Sequence, residues 1–146
     1  MNRLALVTGG SAGLGFAAAL ALAQRGCDLV LAARNQDRLN LARDRILALG
    51  PGTSVETWTC DLEDEASIKE LVALQQGIRV PDIVVHVAGG PPLYAPGMEH
   101  QTELRRHLQS HSLSLWSLMQ AFAPAMQQRG FGRFIAIMSR AVGEPR

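Results

Sequence analysis

The sequence is poor in cysteine and has almost no excess of either charge. Among its 146 residues, Cys27 and Cys60 are the only cysteines, and their spacing matches no metal site. Two thiols do not make a disulfide framework in a chain of this length, so we expect a reducing, cytoplasmic compartment. The 14 basic residues nearly balance the 13 acidic ones, which leaves a net charge of +1. This balance gives no electrostatic reason to expect nucleic acid or a membrane surface as a partner.

Long hydrophobic runs are also lacking. The apolar run Phe16–Ala23 is far shorter than the roughly 20 residues that a membrane-spanning helix needs. The first apolar segment, Leu4–Val7, meets a glycine-rich turn where a signal peptide would have a small-residue cleavage site. A hydrophobic content of 47% is ordinary for a packed core. We therefore expect one globular domain over residues 1–146, with no membrane span and no metal site.

Short apolar runs alternate with longer helical stretches along the whole chain. The apolar runs predict strands at Leu4–Thr8, Asp28–Ala33, Ser54–Cys60, Ile83–Val87 and Arg133–Met138. The longer stretches predict helices at Gly13–Arg25, Asp37–Leu49, Asp64–Gln76 and about Gln101–Arg129. Continuously apolar strands that alternate with helices indicate a parallel sheet covered on both faces. With right-handed crossovers, this order predicts an α/β fold with a five-stranded, doubly wound sheet of the Rossmann type.

The sequence stops shortly after the last predicted strand. A doubly wound sheet of this kind usually has about six strands or more. We therefore expect Arg133–Met138 to lie at an edge of the sheet, where an unpaired apolar strand favours association. Either C-terminal strands and helices are missing from this chain, or the neighbouring strand comes from elsewhere.

A glycine-rich segment follows the first strand and opens the first helix. It reads TGGSAGLG from Thr8 to Gly15. Glycines permit positive φ angles and let the backbone approach a phosphate closely, while a helix N-terminus offers unpaired N–H groups. Because the segment lies within a β-α-β unit, it predicts a dinucleotide site. The alternative is a glycine-rich turn without a ligand.

The pattern T-G-x-x-x-G-x-G resembles the short-chain dehydrogenase/reductase family, and other motifs fit at the right distances. Asp61 matches the family's aspartate after strand three, Ala88-Gly89 matches half of its N-N-A-G motif, and Ser139 falls at its catalytic serine. Residues 89–92 and 142–145 are most similar to a bacterial subgroup of 3-oxoacyl-carrier-protein reductase-like proteins. The resemblance implies an NAD(P)-binding domain over residues 1–146. The implied cofactor contacts are Thr8, Gly9, Ser11, Gly13, Leu14, Gly15, Arg34, Asp61, Leu62, Ala88 and Gly89.

The residues after the second strand indicate which cofactor binds. An acidic residue about 20 positions past the glycines favours NAD, whereas an arginine accommodates the 2′-phosphate of NADP. Arg34 occupies this region, and Ala33 stands where NAD-preferring members of the family carry aspartate. We therefore expect NADP(H) in preference to NAD(H), with Arg38 as a second cation one helical turn further on. The alternative is that Arg34 is a solvated loop residue.

Asp61 has a second interpretation besides contact with the adenine. It precedes Glu63-Asp64-Glu65, so it could act as an N-cap or first-turn acid of the next helix. Asp64 is the better cap candidate, which leaves Asp61 for the cofactor.

The resemblance implies hydride transfer between a nicotinamide and a small-molecule carbonyl or alcohol. The family uses a tyrosine, a lysine four residues later, a serine and a helical asparagine for this reaction. Ser139 matches the serine, while His111 stands at the asparagine, where it either relays a proton or is simply packed or solvated. Tyr94 and Lys69, the only tyrosine and lysine, lie in the wrong order and segments, so the catalytic pair would fall beyond residue 146.

The remaining histidines and aromatic residues have structural interpretations. His86 replaces the first asparagine of the N-N-A-G motif, and we expect it to be hydrogen-bonded and structural. His100 and His107 are expected at the surface. Trp116 and Phe122 are expected on the helix face that forms a homodimer contact in the family, which makes residues 101–129 a candidate dimer surface.

Three hypotheses follow from these observations. The chain is the N-terminal part of an NADP(H)-dependent oxidoreductase, a nucleotide-binding module without turnover, or a fragment with no function of its own. The first two predict cofactor binding. The third predicts association through Arg133–Met138 and no saturable cofactor binding.

Overall fold

A computed structural model of the chain describes residues 2–49, 52–89 and 101–138. The strands are β1 Leu4–Thr8, β2 Asp28–Ala33, β3 Val55–Thr59, β4 Ile83–His86 and β5 Arg133–Ala136. The helices are α1 Gly13–Ala23, α2 Gln36–Leu49, α3 Glu65–Ile78, α4 Gln101–His107, a π-helical turn at Leu108–Leu113, and α5 Ser114–Gln128. The five strands form one sheet in the order β3-β2-β1-β4-β5, and every pair is parallel. The predicted doubly wound α/β fold is therefore confirmed.

The central strands β1, β2 and β4 are buried on both faces by helices. On one face, Leu29, Leu31 and Val85 pack with residues of α1 and α2, including Ala19 and Leu39. The other face packs against α3 and α5. The apolar residues of this second cluster include Leu6, Val30, Val84, Ile68, Leu71, Leu118, Phe122 and Met126. Strands that are covered on both sides have no polar face, which explains the continuous apolar runs in the sequence.

The predicted long helix from 101 to 129 is not a continuous α-helix. It is interrupted by the π-helical turn, and α5 ends at Gln128. Within this turn, the backbone N–H of Ser114 donates to the carbonyl of Gln109, five residues earlier. The hydroxyl of Ser114 donates instead to the carbonyl of Ser110, at 2.6 Å. The serine side chain thus satisfies a carbonyl that a regular α-helix would pair with the N–H of Ser114.

The placement of Phe122 corrects one expectation from the sequence. Phe122 is fully buried against the sheet, so it belongs to the core and not to a dimer surface. The ring of Trp116, six residues earlier, is 59% exposed. Met126 also lies in the core, as expected of a flexible apolar filler.

The strand β5 lies at the edge of the sheet that the structure describes. It pairs with β4 on one side, and three of its four residues are exposed. The two following residues, Ile137 and Met138, are exposed as well. The expected edge position is therefore confirmed for the described residues.

Candidate functional site

A cleft of about 510 Å³ opens at the carboxyl ends of the central strands. Ligands of doubly wound sheets bind at this edge, where the connections diverge to opposite faces. The lining comes from five places: the loop after β1, the end of β2 with the start of α2, the loop after β3, the residues after β4, and the α4 region. The lining residues that carry polar side chains are Thr8, Ser11, Arg34, Asn35, Arg38, Cys60, Asp61, Glu63, Glu103, Arg106, His107 and Ser110.

The loop between β1 and α1 is held closely against β4. Thr8 Oγ1 donates to the carbonyl of Val87 at 3.1 Å and accepts from its N–H at 2.9 Å. Gly9 has a φ of 61°, and a Cβ there would lie 2.7 Å from the carbonyl oxygen of Val87. A Cβ on Gly15 would lie 2.2 Å from the carbonyl oxygen of Gly9. These two glycines therefore permit close backbone packing within the protein.

Gly13 differs from the other glycines of the loop. Its φ is 54°, and a Cβ built there meets no described atom within 4 Å. Gly13 is also the first residue of α1, and its N-cap is Ala12, which has no polar side chain to cap the helix. The N-terminus of α1 therefore presents backbone N–H groups to open space, an arrangement that suits an anion such as a pyrophosphate.

The start of α2 supplies the cationic part of the cleft. Arg34, Asn35 and Arg38 all line it and are exposed. The side-chain oxygen of Asn35 accepts from the backbone N–H of Arg38 at 2.9 Å, so Asn35 caps this helix. Two guanidinium groups beside a helix N-terminus can pair with a phosphate.

The loop after β3 carries two carboxylates with different roles. Asp64 accepts from the N–H of Ala66 at 3.0 Å and caps α3, as predicted. Asp61 lines the cleft, while its Oδ1 accepts from the N–H of Glu63 at 2.9 Å. The N–H of Asp61 in turn donates to the hydroxyl of Ser67 at 3.0 Å. Asp61 therefore has a local turn role and also faces the cleft.

Cys60 lies in the cleft wall next to this loop. Burial is the main cause that raises the pKa of its thiol, and the charge of Asp61 acts in the same direction. The thiol donates to the carbonyl of Ser67 at 3.9 Å. A protonated, buried thiol is a packing group here and not a nucleophile.

Helix α4 and the π-helical turn form the wall that sequence reasoning missed. Nε and Nη2 of Arg106 both donate to Oε2 of Glu63, each at 2.7 Å. His107 and Ser110 also line the cleft, so His107 is a half-buried wall residue and not the surface residue that the sequence suggested. The acidic run after β3 and the Arg105-Arg106 pair were the available signals. Helical periodicity alone did not show which face of α4 meets the cleft.

His111 lies behind this wall. Its Nδ1 is 2.9 Å from the hydroxyl of Ser110 and 3.1 Å from the carbonyl of His107. Among the described residues that line the cleft, Ser110 is present and His111 is not. The candidate relay residue thus reaches the cleft through a serine hydroxyl.

His86 is buried at the end of β4. Its Nε2 lies 2.8 Å from Oγ of Ser114. That hydroxyl donates its hydrogen to Ser110, so we assign the proton between the pair to Nε2 of His86. Burial, and next the proximity of His111, lowers the pKa of His86 from 6.5 to about 4. The structure confirms that His86 is a hydrogen-bonded, structural residue of the core.

The comparison with known proteins decides the family. A family model described as short chain dehydrogenase matches residues 3–146. The chain belongs to the short-chain dehydrogenase family. An uncharacterized oxidoreductase of Mycobacterium tuberculosis is 31% identical over 145 residues, which are 97% of this chain and 42% of that protein. Dehydrogenase/reductase SDR family member 4 of Rattus norvegicus is 33% identical over 147 residues, 96% of this chain and 50% of that protein. This short-chain dehydrogenase chain thus spans about half or less of these relatives' length.

Solved structures of short-chain dehydrogenases share the fold. The L-sorbose reductase of Gluconobacter frateurii, complexed with NADPH and L-sorbose, gives a TM-score of 0.91 at 25% identity, covering 99% of this chain and 55% of that one. A short-chain dehydrogenase of Sphingobium yanoikuyae in complex with NADPH gives 0.90 at 28% identity, covering 99% and 56%. Both of these solved structures contain NADPH.

The predicted site residues of this short-chain dehydrogenase are only partly brought together. Seven of the predicted cofactor residues line the cleft: Thr8, Gly9, Ser11, Arg34, Asp61, Leu62 and Gly89. Four of the described residues that were predicted do not line it: Gly13, Leu14, Gly15 and Ala88. The predicted catalytic Ser139 lies outside the described residues, as do Tyr94 and His100. Lys69 pairs with Glu65 on the exposed surface of α3, at 2.7 Å.

The described residues offer neither a metal centre nor a membrane-spanning helix. Among the residues that the structure describes, no group of three or more histidine, cysteine or carboxylate side chains could hold a metal ion. Within the same residues, no helix has the length and hydropathy that a membrane span requires.

Proposed function

We propose that residues 1–146 form the cofactor-binding unit of an NADP(H)-dependent oxidoreductase of the short-chain dehydrogenase type. One observation carries the proposal: the glycine-rich loop, the arginines at the start of α2 and the Asp61 loop line a single cleft. The two solved relatives above, which contain NADPH, support this cofactor. When bound, the nicotinamide supplies or accepts the hydride, and a carbonyl or alcohol is its partner.

The residues of this chain would act by binding and orientation. The N–H groups at the start of α1 suit the pyrophosphate, and the open space at Gly13 lets it approach. Arg34 and Arg38 would pair with the 2′-phosphate, and no acidic residue stands at position 33 to repel it. The carboxylate of Asp61 can accept a hydrogen bond from the amino group of adenine. The donors and acceptors of the cleft, together with the N–H groups that follow its lining residue Ala12 at the start of α1, therefore fit the cofactor from its adenine to its pyrophosphate.

The substrate class that we propose is a small carbonyl compound or the corresponding alcohol. The resemblance of residues 89–92 to the 3-oxoacyl-carrier-protein reductase-like subgroup makes a 3-oxoacyl thioester the first substrate to test. The two cysteines are both buried and free, which supports a reducing, cytoplasmic location. Exposed apolar residues Leu104, Leu108, Leu113 and Trp116 support the proposal of a homodimer through residues 101–129.

A second candidate function is a nucleotide-binding module without turnover. It is favoured by the position of Lys69, which pairs with Glu65 and does not line the cleft. Both candidates require the cofactor to bind, and only the first requires hydride transfer.

The experiment that tests the proposal is a fluorescence titration with NADPH and with NADH. We expect the chain to bind NADPH more tightly, and Arg34→Asp to weaken NADPH binding by about tenfold or more, because one charge-assisted bond is lost and a repulsion is added. NADH should bind equally well or better to that variant. The matched control is Arg43→Asp, which changes the same charge on α2 at a residue that pairs with Asp44. An unchanged ratio of the two affinities in Arg34→Asp would contradict the cofactor assignment.

A further inference from the structure

An ion pair bridges two walls of the cleft at the end where the Asp61 loop lies. Glu63 belongs to the loop after β3 and Arg106 to helix α4, and they are 43 residues apart in sequence. Two nitrogens of the guanidinium group converge on one oxygen of the carboxylate, each at 2.7 Å. The side chain of Glu63 is 26% exposed and that of Arg106 is 56% exposed. The pair is therefore partly solvated and specific in its geometry.

The loop that contains Asp61 is otherwise held by local bonds. The N–H of Glu63 donates to the carboxylate of Asp61, and the N–H of Asp61 donates to the hydroxyl of Ser67. Both bonds lie within residues 61–67 and fix the shape of the loop. The ion pair between Arg106 and Glu63 is the contact that crosses the cleft, and it fixes the position of this loop relative to α4.

The direction of the bonds shows what the bridge would control. The N–H of Glu63 holds Oδ1 of Asp61 directly, so a movement of Glu63 also moves the carboxylate of Asp61. A carboxylate only accepts hydrogen bonds. It can therefore pair with the 6-amino group of adenine, which donates, and it is mismatched with the 6-oxo group of hypoxanthine, which accepts.

We propose that Glu63 and Arg106 are a positioning pair for base recognition: their ion pair holds the Asp61 loop so that the cleft selects adenine over other purines. This inference rests on the proposed function, because it needs a purine dinucleotide in the cleft. In this proposal Arg106 acts through Glu63 and Asp61, as a positioning residue. The pair therefore affects the choice of base and leaves the recognition of the phosphates to Arg34 and Arg38.

The test compares NADPH with its hypoxanthine analogue, reduced nicotinamide hypoxanthine dinucleotide phosphate. The two ligands carry the same phosphates and differ only along one edge of the purine, where the 6-amino group and the acceptor N1 of adenine become a 6-oxo group and an N1–H. Their affinity ratio therefore reports base recognition alone. The full chain is titrated with both ligands by nicotinamide fluorescence. Variants Arg106→Ala and Glu63→Gln break the bridge. Variants Arg105→Ala and Glu65→Gln are the controls, because they remove the same charges from exposed neighbouring positions that do not line the cleft.

We expect the wild-type chain to prefer NADPH. In Arg106→Ala and in Glu63→Gln, NADPH affinity should fall by up to about fivefold, the range of a partly exposed ion pair. Affinity for the analogue should stay nearly constant, so the ratio approaches one, and both control variants should keep the wild-type ratio. Thermal unfolding of each variant checks that it is folded, and Glu63→Gln preserves the size of the side chain.

Four results would overturn the inference. An unchanged ratio in folded Arg106→Ala and Glu63→Gln means that the bridge does not position the loop. An equal loss of affinity for both ligands means that Arg106 acts on the phosphates. A wild-type chain that binds both ligands equally shows no selection for adenine, although the proposed cofactor site still stands. A wild-type chain that binds neither ligand overturns the proposed function itself and this inference with it.

Discussion

At the residue scale, the glycines of the loop between β1 and α1 have unequal roles. Gly9 and Gly15 are needed by the protein itself, because a Cβ at either would collide with a carbonyl oxygen. Gly13 has open space around it, and only its positive φ disfavours a side chain. A left-handed conformation costs a non-glycine residue roughly 1–2 kcal/mol. We therefore expect Gly9 and Gly15 to be required for folding, and Gly13 to be required for ligand binding.

This separation predicts different results for two substitutions. Gly13→Val should reduce the free energy of unfolding only by about 1–2 kcal/mol and should abolish NADPH binding, because the side chain would fill the space expected for the pyrophosphate. Gly15→Ala should destabilise the fold as well, since its Cβ would lie 2.2 Å from Gly9 O. Urea unfolding and NADPH titration measure the two effects. Unchanged NADPH affinity in Gly13→Val would show that the loop does not hold the cofactor.

A second prediction at this scale concerns His86 and pH. An unfolded histidine takes up a proton near pH 6.5, whereas His86 in the fold does so only near pH 4. Between these values the unfolded state binds more protons, so the free energy of unfolding falls as the pH is lowered. The full loss is about 3 kcal/mol, and about 2 kcal/mol of it is reached at about pH 5. Urea unfolding at about pH 7.5 and about pH 5 measures it.

The matched variant is His86→Gln, which keeps a donor toward Ser114 and removes the titrating group. We expect a smaller difference in stability between the two pH values than in the wild type. Asp28 titrates below this window: burial raises its pKa, but hydrogen bonds from Ser54 and Asn2 and the charge of Arg79 lower it below 3.8 overall. Equal pH dependence in the wild type and in His86→Gln would contradict the prediction.

At the scale of elements, the alternation of apolar runs with helical stretches predicts the fold well. The strands come at the expected positions, and β3, β4 and β5 are each shorter than the apolar runs that predicted them. A strand that is buried on both faces appears in the sequence as a continuous apolar run, which is easy to recognise. In β1, for example, all five residues are buried. Helix ends are less well predicted, because the chemistry of the caps shifts them by one or two residues.

The long helix shows why part of the site could not be predicted. Its apolar spacing indicates a helix but contains no signal for the π-helical turn, which depends on the hydroxyl of Ser114 reaching the carbonyl of Ser110. This turn sets which residues face the cleft, so Ser110 lines it and His111 lies behind. A local motif such as the glycine loop can be predicted because its residues are adjacent in sequence. The Glu63–Arg106 contact depends on tertiary packing and cannot be predicted from either segment alone.

At the scale of the whole molecule, the sheet has unequal edges. The strand β3 at one edge is flanked by α2 and joined to β2 by five register pairs. The strand β5 at the other edge has exposed apolar side chains, including Ile135 at 44% exposure. Within the residues that the structure describes, β5 pairs on one side only, and a strand of this kind presents backbone groups and apolar surface to other chains. We therefore expect association through this edge.

The last prediction tests this edge against the candidate dimer surface on α5. We expect the chain to associate increasingly with concentration in sedimentation velocity experiments, and Ile135→Lys to reduce this association, because a lysine on an edge strand opposes pairing with another strand. Leu41→Lys is the control, since Leu41 is exposed on α2, away from both surfaces. Trp116→Glu separates the two surfaces. If that variant is monomeric while Ile135→Lys still associates, the contact lies on α5 and the homodimer proposal gains support. If Ile135→Lys alone is monomeric, the open strand β5 carries the association, and the exposed residues of α4 and α5 need another explanation.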